Sequence, residues 1–310
     1  MNAKLAKYMF KRLGMALLTI FLVIVITFFT MHAIPANPFS SSTGRAISED
    51  ILKAMEAKYG FDQPVHIQFV RYLGGVLRFD FGPSISVTGS TVYDLIKGGI
   101  SYSARIGFSG AAIAIILGIF LGVIAALNRG RWIDKTVQVI TTALVSMPSF
   151  VMATLLLLVF GKYLRWFNTI GSQAGGLVLP TVALSLYPMA YITRLERSSM
   201  LDVLGQDYIR TARAKGLPEY KVVFKHALKN ALSPVITYAG PMMAYLLTGS
   251  MVVESIFLVP GLGQRFIKSM SSFDYMMTMG VTIFLAIIIV LLNFLCDILN
   301  KVMDPRIDLG

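Results

Sequence analysis

The residues best able to do chemistry, the histidines and the cysteine, are few in this sequence and lie far apart. The three histidines are His32, His66 and His226, and the single cysteine is Cys296. A nucleophilic serine or cysteine needs an imidazole base within hydrogen-bond reach, whereas a disulfide or a cysteine-rich metal site needs several thiols. The sequence therefore excludes a disulfide and a cysteine-rich metal site, and it argues against an enzyme that works inside a membrane.

A phosphate-binding loop is missing from the sequence as well. The pattern G-x-x-x-x-G-K-[ST], whose backbone N–H groups cradle nucleotide phosphates, occurs nowhere in the 310 residues. We therefore expect a chain that is not an enzyme and that has no cofactor or metal of its own. Any ATP that drives its activity must be hydrolysed, with Mg²⁺, on partner subunits.

Six long stretches without a charged residue or histidine dominate the chain. Hydrophobic residues make up 55% of the sequence and charged residues only 14%, compared with about a quarter charged in soluble domains. A helix that crosses a bilayer needs about 20 apolar residues, because its backbone polar groups must be satisfied within the segment. We predict an all-α, polytopic membrane protein with six transmembrane helices at 13–31, 106–127, 136–161, 175–193, 230–253 and 275–296.

The positive charges predict the orientation of these helices. With the amino terminus inside, 17 of the 28 Lys and Arg fall in the inner segments, as the positive-inside rule requires. This placement explains the net charge of +12 without a nucleic-acid partner. The first apolar stretch is too long for a cleaved signal peptide. Both termini are predicted to be cytoplasmic.

Three parts of the chain follow from this topology. Residues 1–32 form the cytoplasmic amino terminus and the first transmembrane helix, 33–105 an extracytoplasmic helical domain, and 106–310 the other five helices with a cytoplasmic loop at 194–229. In the outer domain, Ser48 is predicted to cap a helix that Gly60 closes. A second helix is expected at 65–77 with an apolar face of Ile67, Val70, Tyr72 and Leu73. These helices either lie on the membrane surface or dock a partner.

Two patterns within the apolar stretches concern how the helices pack. In the second stretch, small residues recur at every fourth position, so that they line one helix face and allow close approach of another helix. They are Gly110, Ala114, Gly118, Gly122 and Ala126. Prolines that can kink their helices occur at Pro148, Pro180, Pro188, Pro234 and Pro241.

The loop 194–229 is predicted to form two helices joined at a corner. Ser198 and Ser199 are candidate caps for a first helix over 201–215, and Gly216 suits the left-handed position that follows a helix. Pro218 then opens a second helix that runs towards Leu228. A short helix attached rigidly to two spans can transmit a rigid-body motion from a partner to the membrane.

The run 208–217, YIRTARAKGL, resembles the coupling loop of ABC importer permeases in the form found in the oligopeptide and dipeptide permeases. Further similarity to this family lies in 249–257 with 260–264, in 59–64 with 80–84, and in the closing 304–306. The resemblance implies the type I ABC importer permease fold. It also implies that a short helix docks on an ATPase subunit through Tyr208, Arg210, Thr211, Ala212, Arg213, Ala214, Lys215, Gly216 and Leu217.

The same resemblance implies the function and the partners. The chain is expected to be a permease subunit in a bacterial plasma (inner) membrane, forming half of the translocation pathway for oligopeptides or dipeptides. Its expected partners are a second homologous permease in a heterodimer, two ABC ATPase subunits, an extracytoplasmic peptide-binding protein and membrane lipid. An ion-coupled secondary transporter is the alternative, although such carriers usually bury ionisable residues near the midplane, where this sequence has none.

Neutral side chains in the predicted spans are candidates for the lining of the pathway. They carry no fixed charge that would select one solute, which suits a conduit whose specificity lies in a binding protein. These candidates for the pathway are Ser146, Ser149, Thr237, Tyr238, Met242, Met243 and Tyr245. Glu254 and Phe257, which closely follow the fifth stretch, are the candidates for its outer gate.

Overall fold

The computed structural model describes residues 3–34, 53–57, 60–248 and 251–303. The predicted cap at Ser48 and the segments 249–250 and 304–306 lie outside the described residues. Apart from an isolated antiparallel bridge between Pro83 and Thr91, the regular structure of the described part is helical. Its helices are α1 (Ala3–Ala33), α2 (Val65–Val76), α3 (Val92–Leu127), α4 (Trp132–Ser146), α5 (Ser149–Leu156), α6 (Val178–Leu204), α7 (Asp207–Ala214), α8 (Glu219–Lys221), α9 (Leu228–Ala231), α10 (Ser233–Leu247), α11 (Met251–Ile256), α12 (Leu262–Ser271) and α13 (Tyr275–Met303).

Four helical segments of the described part are long and apolar enough to cross a membrane. They are Tyr8–Ala33, Val92–Leu127, Ser233–Ile256 and Tyr275–Ile298, and a fifth results if α4 and the segment Ser149–Tyr163 count as one broken span. The predicted stretch 175–193 falls mostly within α6, whose prolines and hydroxyl side chains lower its hydropathy. The six-span count and the location of the termini stay predictions.

The third predicted span is sharply bent. Helix α4 and the segment that begins at Ser149 meet at an angle of 106°. Pro148 lies at this break with ψ 139°, an extended conformation that cannot continue a helix. The second part ends in π-helical turns over Leu157–Tyr163. The predicted effect of Pro148 on its helix is therefore confirmed.

The described chain divides into two compact units. One consists mainly of Met1–Ser103 and Pro260–Phe294, and the other mainly of Ala104–Val259 and Leu295–Asp308. In the first unit, His32 lies within hydrogen-bond distance of Gln68 Oε1 at 2.9 Å and stacks on Phe28 at 4.1 Å between ring centroids. His32 therefore has a structural role, since it fastens the end of α1 to α2.

A buried carboxylate organises another part of the first unit. Asp274 is fully buried and precedes α13, where its Oδ1 accepts a hydrogen bond from the Met277 N–H at 3.0 Å. Its Oδ2 accepts hydrogen bonds from the hydroxyls of Ser84 (2.5 Å) and Ser86 (2.8 Å). One side chain thus caps a helix and holds a loop that is 190 residues away in sequence.

The predicted apolar face of the outer helix is only partly buried within the described structure. In α2 the buried residues are Tyr72 and Val76, whereas Ile67 and Val70 are 44% and 67% exposed. Tyr72 and Val76 are spaced by four residues, so they share one face. The sequence pattern alone gave equal weight to apolar residues on both sides of the helix.

In the second unit, the stripe of small residues on α3 packs against α6, as predicted. A Cβ atom at Gly118 would lie 2.7 Å from Ile192 Cγ2, and one at Gly122 would lie 2.7 Å from Glu196 Cβ. Ala114 and Ala126 are buried on the same stripe. Any larger side chain there would force the helices apart.

A buried ion pair joins α4 to α6 in the same unit. Asp134 is 1% exposed and accepts two hydrogen bonds from Arg197, from Nε at 2.6 Å and from Nη2 at 2.8 Å. The Gly130 N–H and the Gln138 amide also donate to Asp134, each at 2.9 Å. This planar, two-point contact fixes the arginine rigidly.

Candidate functional site

The first part of the segment 194–229, up to Leu204, is a continuation of α6. The helix runs without interruption to Leu204, so the predicted caps at Ser198 and Ser199 are wrong, because both residues lie inside it. Ser199 instead donates its hydroxyl hydrogen to the carbonyl of Ala231 at 2.8 Å. The chain breaks at Gly205 and Gln206, which divides the predicted helix 201–215, and α7 follows.

Gly216 closes α7 in the left-handed conformation that the sequence predicted. Its φ is +72°, and its N–H donates to the carbonyl of Arg213 at 2.9 Å. Other residues adopt this conformation at a cost, with Asn and Asp the most tolerant. A Cβ at Gly216 would have no atom within 4 Å, so a substitution there is limited by the backbone and not by space.

A second helical run follows Gly216 and opens at Pro218, as predicted. It consists of α8, π-helical turns over Val222–Ala227 and α9, and therefore reaches slightly beyond Leu228. Arg213 on α7 donates to Glu219 at 2.7 Å, so an ion pair bridges the turn. This hydrogen bond raises the pKa of Arg213 and lowers the pKa of Glu219.

The corner, defined here as residues 205–231, is seated on the ends of α3 and α6 by an apolar core. Ile209 and Ala212 are the buried residues of α7. They pack in one cluster with residues of α3, α6 and the second helical run, namely Val123, Ala126, Met200, Val222, Val223, Ala227 and Ala231. Because protein interiors are close-packed, a displacement of α7 must move the helix ends with it.

The opposite side of α7 faces outward and carries the other predicted coupling residues. Arg210, Thr211, Ala214 and Lys215 are exposed, and Leu217 is half-buried. The Tyr208 hydroxyl accepts a hydrogen bond from the Asn230 amide at 2.9 Å, which ties α7 to the second helical run. The structure thus brings the predicted coupling residues together on one short helix and its closing turn.

A cavity of about 460 Å³ lies between α5, α6 and α10 in the same unit. Four of the predicted pathway residues line it, namely Ser149, Tyr238, Met242 and Tyr245. Its other walls are Ala183, Leu184, Tyr187, Pro188 and Pro241. The predicted Ser146, Thr237 and Met243 lie on α4 and α10 but are not part of this lining.

Sequence reasoning missed the contribution of α6 to this cavity. Tyr187 and Tyr191 lie one turn apart, and the Tyr191 ring contacts that of Tyr238 at 4.4 Å between centroids. The signal was present, because Ala183 and Tyr187, like Leu184 and Pro188, are spaced by four residues and share a face. The cavity walls are aromatic, aliphatic and hydroxylic, and they carry no charge.

The two candidates for an outer gate, Glu254 and Phe257, are both fully buried at and just after α11. The carbonyl of Phe257 accepts a hydrogen bond from the Gly171 N–H at 2.8 Å. The backbone carbonyl of Glu254 accepts one from Val259 at 2.8 Å, and Leu258 between them has φ +49°. These residues form a tight turn apart from the cavity lining, and their role at a gate stays a prediction.

Glu196 is a buried carboxyl group that the sequence did not single out. It is fully buried on the α6 face that meets Gly122, just beyond the apolar stretch 175–193. Within the described residues neither of its carboxyl oxygens has a hydrogen-bond partner, and burial raises its pKa to about 7. No group of three or more His, Cys, Asp or Glu that could hold a metal ion occurs among the described residues.

Family models match most of the chain. The model described as the binding-protein-dependent transport system inner membrane component matches residues 118–309. The model for the N-terminal part of such a membrane component matches residues 5–88.

Curated relatives cover nearly the whole chain. The dipeptide transport system permease protein DppB of Bacillus subtilis (strain 168) is 43% identical over 306 residues, which is 98% of this chain and 99% of the relative. The oligopeptide transport system permease protein OppB of Salmonella typhimurium is 41% identical, with 97% and 99% covered.

Solved structures share the fold. A chain of the MetNI methionine ABC transporter in an inward-facing conformation aligns with a TM-score of 0.56 and 22% identity, over 68% of this chain and 96% of that one. A chain of an amino acid ABC transporter crystallised with histidines aligns with a TM-score of 0.51 and 16% identity, over 69% and 94%.

Proposed function

Because the chain belongs to the family of binding-protein-dependent transport system inner membrane components, we propose that it forms half of the translocation pathway for oligopeptides or dipeptides. It is a multi-pass membrane permease of an ABC importer, with the fold of that class. The family works with ATPase subunits and a binding protein, and the ATPase activity of such importers lies in separate subunits.

The observation that carries the coupling role is the geometry of the corner. Helix α7 presents a polar, charged face outward and is locked to α3 and α6 by the buried side chains of Ile209 and Ala212. Helix α6 in turn forms one wall of the cavity. A push on α7 is therefore transmitted along a continuous helix to the cavity, which is the rigid-body mechanism expected of a coupling element.

The finer assembly is also part of the proposal. The pathway is completed by a homologous but distinct permease, two ABC ATPase subunits bind the two corners with ATP and Mg²⁺, and a peptide-binding protein delivers the solute outside. The chain itself needs no cofactor, and the complex lies in a bacterial plasma membrane. The uncharged cavity suits a conduit that leaves selection to the binding protein.

Reconstitution in liposomes tests this function. The complex with both permeases, the ATPase subunits and the binding protein should accumulate a di- or oligopeptide, and uptake should stop when ATP or the binding protein is left out. The chain alone should transport nothing. Peptide uptake by the chain alone, driven by a proton gradient, would show that it is a secondary transporter.

Cysteine labelling tests the orientation. In a Cys296→Ala background, a cysteine at the exposed Ser271 should react with an impermeant reagent added outside intact cells, whereas one at the exposed Arg131, predicted on the same side as the corner, should react only after lysis. The reverse pattern would place the corner on the wrong side for ATPase subunits.

A further inference from the structure

A second, smaller cavity of about 220 Å³ lies between α4 and α6, and its chemistry differs from that of the aromatic cavity. It is lined by Gln138, Thr142, Arg194 and Arg197. Every side chain in this lining is polar, and two of the four are cations. Such a set of donors suits an anionic oxygen ligand, such as a carboxylate or a phosphate.

The two arginines in this cavity are in different situations. Arg197 is held by two hydrogen bonds to Asp134, so its charge is neutralised and its position is fixed. Arg194 is exposed, and within the described part of the chain neither its guanidinium nor the Thr142 hydroxyl has an ion-pair or hydrogen-bond partner. Arg194 is therefore an unpaired cation within the described structure, and it lies beside Arg197, whose position is fixed by Asp134.

Helix geometry places Arg194 in line with the aromatic cavity. Tyr187, Tyr191 and Arg194 follow the spacing i, i+4 and i+7, so they share one face of α6. Seven residues of helix rise about 10 Å, which is about the length of three residues of extended peptide. Glu196 points to the opposite face, towards Gly122, and does not neutralise this one.

We propose that Arg194, with Thr142 and Gln138, forms a binding site for the carboxylate of the transported peptide at the inner end of the aromatic cavity. A peptide whose side chains occupy the cavity reaches this site with its carboxyl end. The inference rests on the proposed function, because it assumes that a peptide passes along α6. It adds one fixed charge to a pathway whose predicted lining is neutral.

Protection of a cysteine at position 142 tests the site directly. The complete complex, with Thr142→Cys in a Cys296→Ala background, is reconstituted in phosphatidylcholine without nucleotide and treated with an anionic thiol reagent. At a concentration about ten times its Kd, trialanine should slow the modification about tenfold, and loss of roughly one charge-assisted hydrogen bond should raise that Kd about tenfold. At the same concentration, the C-terminal amide of trialanine should slow the modification much less. Arg194→Gln should remove this difference between the acid and the amide, whereas Arg194→Lys should retain part of the difference.

Two controls make each outcome decisive. A cysteine at the exposed Ser271, which lies outside the corner and both cavities, should react at the same rate with either peptide, which excludes a reaction of the peptide with the reagent. Equal protection by the acid and the amide, or protection by neither, would overturn the proposal. If phosphatidylglycerol protects the cysteine and neither peptide changes that protection, the site binds a lipid phosphate. That result would also overturn the proposal. Failure of the wild-type complex to take up any peptide contradicts the proposed function and is measured separately, since protection requires no transport.

Discussion

The corner and the aromatic cavity share helix α6 but are built in opposite ways. The corner is held by buried apolar side chains and contains a left-handed glycine, and the helices α3 and α6 on which it sits are in close contact. The cavity is walled in part by the exposed Tyr187 and Tyr245 and has no ion pair in its lining. The difference indicates that the part proposed to transmit motion is close-packed, while the part proposed to pass a solute offers few strong interactions to hold it.

If this contrast is correct, changes to the buried contacts among α3, α4 and α6, which support the corner, should affect folding, and changes to the cavity should affect transport alone. The largest effect is expected at the buried ion pair. Asp134→Asn leaves the Arg197 guanidinium partly buried without its counter-charge, which should lower the free energy of unfolding by about 3 to 5 kcal/mol. Unfolding in detergent, followed by circular dichroism, measures this loss.

The matched control is the double variant Asp134→Leu with Arg197→Met, which removes both charges. It should lose less stability than Asp134→Asn, since no isolated charge remains. Equal stability of Asp134→Asn and the wild type would show that the ion pair does not hold α4 to α6.

The next effect depends on pH and concerns Glu196. Its pKa in the folded chain, about 7, lies above its ordinary value of 4.5, so the folded state binds a proton that the unfolded state releases between these values. Stability is therefore greatest at the acid end and falls as pH rises towards 7. Glu196→Gln removes this loss and should be more stable than the wild type by about 3 kcal/mol at about pH 8, but nearly equal to it at about pH 4.5.

Thermal unfolding of both proteins across this pH range measures the gap. A gap that does not change with pH would show that Glu196 is ionised in the fold, with a partner for its charge. It would also show that the close contact between α3 and α6 does not depend on a neutral carboxyl group.

A smaller loss is expected from overfilling the small-residue stripe. Gly118→Leu must displace Ile192 and the backbone of Met189, which lie 2.7 and 3.0 Å from the added Cβ. Overpacking of this kind costs about 1 to 3 kcal/mol. Gly14→Leu is the control, because no atom lies within 4 Å of its Cβ. If both variants unfold at the same temperature, the stripe is not a packing surface.

The smallest effect on stability is expected in the cavity. Tyr245 is 57% exposed, so Tyr245→Ala should change the free energy of unfolding by no more than about 0.5 kcal/mol. Uptake by the complete complex should still fall, and by a similar factor for acidic, neutral and basic peptides, because this lining carries no charge. A loss confined to peptides of one charge would contradict the description of the cavity as a neutral conduit.

The corner could be predicted from sequence because its signals are local. Gly216 and Pro218 are conformationally special residues, and their positions determine where one helix ends and the next begins. The stripe on α3 was predicted for the same reason, since its period is visible within one helix. The caps at Ser198 and Ser199 failed because tertiary packing carried α6 through residues that can either cap or continue a helix.

The cavity and the buried charges could be predicted only in part, because they depend on contacts between distant segments. Asp134 and Arg197 are 63 residues apart, and nothing in either local sequence indicates their pairing. One wall was predicted because its side chains carry a hydroxyl or a thioether within an apolar stretch. These residues are Ser149, Tyr238, Met242 and Tyr245. The opposing wall on α6 was missed because its register against α10 is set by the fold.

The most direct test of the account compares two residues at position 216 in the complete complex. Asparagine tolerates the left-handed conformation of Gly216, whereas valine is strained there by about 1 to 3 kcal/mol. Both variants should insert and bind the partner permease at matched abundance. Co-purification of the ATPase subunits and peptide uptake are measured together. Gly216→Asn should keep both quantities near wild type, whereas Gly216→Val should lose one or both. Normal association and normal uptake for Gly216→Val would contradict the role of the corner in transmitting ATPase motion to the pathway.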